Sequence, residues 1–68
     1  MKNLKKLRRD SGLSQHALAK AAGLHRWRIS HAELGMADLS ADEADAIRKV
    51  LAGELQKKSR SLAALTAA

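Results

Sequence analysis

The 68-residue sequence has no cysteine, no proline, no tyrosine and no phenylalanine, and it has a single tryptophan. Without cysteine, neither a disulfide nor a thiolate metal site is there to staple a small fold. Without Phe and Tyr, the core has to be built from Leu, Ile, Val and Ala, the residues of compact helix packing. At this length one core only just offsets chain entropy, so one domain is expected. No apolar run approaches the ~20 residues of a membrane span. The N-terminus is basic but lacks an apolar signal core, so a cytoplasmic protein without membrane contact is expected. His16, His25 and His31 have no carboxylate or thiol partner at a ligand spacing, which argues for no metal and no cofactor. Catalysis finds no support either. There is no nucleophile–base pair, no carboxylate dyad and no phosphate loop, so an enzyme is not expected.

What the sequence does have is positive charge, unevenly spread. The net charge is +6. Up to His31 the cations are Lys2, Lys5, Lys6, Arg8, Arg9, Lys20, Arg26 and Arg28, opposed only by Asp10. From Ala32 to Gly53 the sign reverses, with Glu33, Asp38, Asp42, Glu43 and Asp45 facing Arg48 and Lys49. A basic surface confined to one part of a small domain points to a polyanion partner. A solvated surface that only aids solubility is the alternative.

The pattern of apolar residues and stop signals predicts an all-α chain of four helices and a tail. Asn3 is a candidate cap for a first helix running through about Asp10, with Leu4 and Leu7 on one face. Ser11-Gly12 ends it. Ser14 is a good N-cap for a second helix, Gln15 to Ala22, with Leu18, Ala19 and Ala22 inward. Gly23 makes a sharp turn, and a third helix follows from about His25 to Leu34, stopped by Gly35. Ser40-Ala41-Asp42-Glu43 is a capping box that opens a fourth helix, in which Ala44, Ile47, Val50 and Leu51 recur at helical spacing. Gly53 is a weak point. Residues 1–53 are therefore read as the domain, and residues 54–68 as a tail in which Leu55, Leu62 and Leu65 allow a fifth helix or a dimerisation segment.

On a helical wheel the third helix divides into two faces. Ile29, Ala32 and His25 fall on one side, with Glu33 at its edge. Trp27, Ser30, His31 and Leu34 fall on the other, flanked by Arg26 and Arg28. A base edge or a thymine methyl suits such a surface, and arginine is the commonest reader of guanine. The alternative is that Trp27 bends back onto Leu24 and that the arginines are idle surface cations.

Leu7-Arg8, Gly12-Leu13-Ser14-Gln15, Leu18-Ala19, Gly23, Ile29-Ser30, Glu33 and Gly35 together form an ordered pattern. In it the chain resembles the Xre/Cro family of helix-turn-helix DNA-binding domains, over roughly residues 3 to 52. The resemblance implies a compact, lambda-repressor-like bundle of four to five helices, whose third helix enters the major groove of double-stranded DNA. It further implies base reading by Arg26, Trp27 and His31. It implies contacts to the DNA backbone from Ser14, Gln15, His25, Arg28 and Ser30, and a buried structural ion pair between Arg8 and Glu33. The chain departs from the pattern in three places, at four positions. His25 stands where Ser or Thr usually caps the third helix. Ala32 stands where a bulkier apolar residue is common. Leu34 and Met36 replace polar or basic residues near the phosphates.

The function expected is a sequence-specific transcriptional regulator. Its simplest form is a nucleoid-associated homodimeric repressor, reading a pseudo-palindromic operator with two third helices about 34 Å apart. Leu51, Leu55 and Leu62 are candidates for the dimer contact, or else they simply close the core. The alternative function is an antitoxin-type module that binds a protein partner, a toxin, through its tail and binds DNA through the same helix-turn-helix.

Overall fold

The computed structural model describes residues 2–67, with side-chain surroundings described through Arg60. All regular structure among these residues is helical, in four segments: α1 (Leu4–Asp10), α2 (Gln15–Ala22), α3 (Arg26–Glu33) and α4 (Ala41–Ala67). The fold is a compact helical bundle in which the short helices α2 and α3 follow one another across the turn at Gly23.

Each boundary has a local cause. The Ser14 hydroxyl accepts the backbone N–H of Ala17 at 3.0 Å, which satisfies a free donor at the start of α2. Gly23 ends that helix in the left-handed region, φ 72, where a side chain would be strained. Its N–H and that of Leu24 return to the carbonyls of Lys20 and Ala19, closing the turn with two hydrogen bonds. At α4 the box is reciprocal: Ser40 N–H donates to Glu43 Oε1 at 2.9 Å, and Glu43 N–H donates to Ser40 Oγ at 3.1 Å.

Two expectations are corrected. Asn3 does not cap α1 with its side chain. It sits in the left-handed region at φ 62 and contributes only its carbonyl, which accepts from Leu7 N–H. Asn tolerates that conformation better than most residues, so the chain turns into α1 there instead of being capped. There is also no separate fifth helix. α4 runs 27 residues, straight through Gly53. A lone glycine costs only about 1 kcal/mol in a helix interior, less than is needed to break one with good helix formers on both sides.

The core is small and wholly aliphatic: Leu4, Leu18, Ala19, Ile29, Ile47 and Leu51, with Leu7, Leu13, Ala22, Leu24, Ala32, Leu39 and Val50 packed around it. Leu18, Ile29 and Ile47 are fully buried in this cluster, with α2 packed against both α3 and α4. α1 lies against α3 and α4. After Leu51 no residue of α4 through Arg60 is buried, so the second half of that helix runs beyond the core. One polar tie remains, from Lys58 Nζ to the carbonyl of Asp10 at 2.7 Å, where a cation suits the end of α1. Leu62 and Leu65 have side chains outside the described residues.

Candidate nucleic-acid interface

α3 presents the site because Ile29 alone anchors it fully in the core, leaving the opposite face free. Arg26 and Trp27 are exposed, and Ser30 and His31 are half-buried beside them. These four residues line one shallow concavity on the protein surface. The Trp27 side chain is 52% exposed, so it belongs to the surface and not to the core. The His31 ring meets the indole edge-on, with centroids 5.5 Å apart. The Arg28 guanidinium lies over the indole ring, 5.4 Å from its centroid.

The other named residues lie at the start of α2 and just before or within α3. Ser14 is exposed at the start of α2, its hydroxyl engaged in the cap. His25 precedes α3 in extended conformation and makes no side-chain cap bond, as expected of an imidazole in that place. Gln15 turns toward α3, and its Nε2 donates to Glu33 Oε1 at 3.2 Å.

Glu33 is the hub of a three-helix junction. Arg8 Nε donates to Glu33 Oε2 at 2.6 Å, and the far end of the guanidinium donates to Oε1 at 3.1 Å. The remaining guanidinium nitrogen donates to the carbonyl of Leu13 at 2.9 Å. The two side chains are only 11% and 4% exposed. Burial works against the charged form of Glu33. Hydrogen bonds from Arg8 and Gln15, with the charges of Arg8 and Lys5, outweigh it and hold the carboxyl below its ordinary pKa. The bond to Glu33 raises the Arg8 pKa in return.

Arg28 is engaged as well. Its Nε and one terminal nitrogen grip both oxygens of Glu43, with Nε to Oε2 at 2.9 Å, and the same terminal nitrogen reaches the carbonyl of Asp38 at 3.2 Å. The bond from Arg28, backed by the Ser40 N–H, pulls the Glu43 carboxyl down to about 2. Bonding to Glu43 raises the Arg28 pKa. Sequence reasoning gave Glu43 only its local duty in the capping box. The pair spans 15 residues and a loop, so no periodicity reveals it.

A family model described as Helix-turn-helix matches residues 4–58. The chain belongs to the helix-turn-helix family, of the Xre/Cro type. No curated protein and no solved structure matches the chain.

In this helix-turn-helix domain, α2, the Gly23 turn and α3 form the motif, and the family assigns it to DNA-binding regulators. The turn that leaves α3 carries Leu34 and Met36, each 68% exposed. On α1, Asn3, Lys5, Lys6, Arg9 and Asp10 line a second concavity, in which Lys6 pairs with Asp10 at 3.0 Å. No group of His, Asp and Glu side chains among the described residues is arranged to hold a metal ion. Among the same residues no helix is long and apolar enough to cross a membrane.

Proposed function

We propose that this helix-turn-helix domain is a sequence-specific transcriptional regulator, a homodimeric repressor that reads a pseudo-palindromic operator through α3. The observation that carries the reading is the concavity lined by Arg26, Trp27, Ser30 and His31 on the exposed face of the second motif helix. A half-exposed indole is a poor surface for water, and beside Arg26, which has no ion-pair partner among the described residues, it makes a good one for base edges. Arg26 supplies a guanine-type fork, Trp27 an apolar face for a thymine methyl, and His31 a further donor or acceptor. Ser14 and Gln15 at the start of α2, His25 before α3 and Ser30 in the concavity serve the DNA backbone. The cations of α1 and Lys20 add sequence-independent attraction. Such a protein acts where the chromosome is, associated with the nucleoid.

Leu55 on the outer half of α4 is 38% exposed and favours a partner for that segment. A second copy of the chain is the reading adopted. A toxin bound by the tail is the second reading, and a co-encoded toxin gene would favour it.

Titration of duplex DNA at several salt concentrations tests the proposal. Log affinity should fall with log salt by about 0.9 for each phosphate neutralised. Footprinting upstream of the protein's own gene should show two protected half-sites about one helical turn apart. A nearly flat salt dependence would remove the nucleic-acid reading.

A further inference from the structure

Arg28 lies next to the reading face but is spoken for. It faces Glu43 with both oxygens bonded, the Asp38 carbonyl, and the Trp27 ring. Its side chain is only 23% exposed, and that of Glu43 19%. Glu43 is itself fixed by the capping box at the start of α4. So a rigid chain of contacts runs from the α4 backbone through Glu43 and Arg28 to the indole. A forked, planar guanidinium is pre-organised for this: one edge meets the carboxylate and its charge lies beside the ring. An arginine so neutralised has little left to offer a phosphate.

We propose that Arg28, fixed by Glu43, is a positioning residue that holds Trp27 in its DNA-facing orientation, and that it does not contact the phosphates. The role of Trp27 in base reading rests on the proposed function. The clamp itself does not, because it exists in the free protein.

The two ideas can be tested apart. Trp27 is the only tryptophan and there is no tyrosine, so protein fluorescence and near-ultraviolet dichroism report this one ring. Arg28→Gln should shift the indole emission of the free protein, while far-ultraviolet dichroism stays helical. Arg28→Lys keeps the charge without the fork and should restore the signal only in part. Glu43→Gln keeps the capping box, since Gln serves there as well as Glu. It should free Arg28, shift the indole signal, and steepen the salt dependence of binding to a random-sequence duplex by about 0.9.

Binding is then compared between that duplex and one enriched from a random pool. Arg28→Gln should narrow the difference between them and leave the salt slope unchanged. The proposal is overturned if folded Arg28→Gln and Glu43→Gln proteins keep the parent indole signal. It is overturned equally if Arg28→Gln lowers the slope by about 0.9 with discrimination intact, which is the mark of a phosphate contact. If the parent binds no duplex at all, base reading fails, and the indole signals of the free variants still decide the clamp.

Discussion

Arg8 and Glu33 show how much one side-chain pair carries in a chain this short. Their bidentate contact, with Gln15 on the same carboxylate, ties α1, the start of α2 and the end of α3 together. Removing one partner strands a nearly buried charge, at an expected cost of about 3–5 kcal/mol. Replacing both with apolar residues of similar size should cost much less. Urea unfolding of Arg8→Met, Glu33→Leu and the double variant measures this, and a coupling near zero would show that the pair is idle. Trp27 is the opposite case. A fully buried ring costs about 3–5 kcal/mol when cut to alanine, but this one is half in solvent. Trp27→Ala should therefore melt close to the parent while its affinity for the operator falls. A melting curve beside a binding isotherm checks both halves.

Among the elements, α3 and α4 divide the labour. α3 is only 8 residues long and holds one fully buried side chain, too little to be stable alone. Its direction is set by its neighbours: Ile29 in the core, Glu33 on Arg8 and Gln15, Arg28 on Glu43. A reading helix held at three points keeps its exposed face in register. α4 is long, and its core contacts end at Leu51. A chain cut after Gly53 keeps every member of the buried core and, among the described residues, loses only the Lys58 tie to α1 of the long-range hydrogen bonds. It should stay helical but sediment as a monomer and bind a full palindrome more weakly than the whole chain. Ultracentrifugation of both forms decides, and dimerisation of the cut chain would assign the tail another task.

At the scale of the whole molecule, the ion pairs make stability depend on acid in a stated direction. Glu33 and Glu43 titrate below ordinary carboxylates when folded. In the unfolded chain they take up protons near the usual value of about 4.3. Their contribution is therefore complete above that value and is lost as pH falls through it toward about 2, where folded Glu43 is protonated. The urea midpoint should hold between pH 7 and about 5 and drop between about 5 and 2. Glu43→Gln should flatten part of that drop, and an unchanged profile would show that the pair does not stabilise the fold.

The sequence by itself determined the helices and where they turn. Ser14, Gly23 and the Ser40–Glu43 box act within a few residues of themselves, so their hydrogen bonds are written in local order. It also marked much of the core, because Leu18, Ala19 and Ala22 on α2, and Ala44, Ile47, Val50 and Leu51 on α4, recur at helical spacing. The wheel put Trp27 on the outer side but left open that it bends back onto Leu24, and only the structure leaves it half in solvent. The length of α4 was not legible, since a glycine that ends one helix crosses another and only the surrounding helix decides which. Nor were the partners of Arg28 and Gln15. Both are polar residues at a helix surface, and sequence shows only that such a side chain can reach a phosphate. Glu43 stands 15 residues from Arg28, and Glu33 stands 18 from Gln15. Only the packing of α2 against both α3 and α4 brings those groups within bonding distance, and a carboxylate drawn out of water takes up the donors that the fold sets beside it.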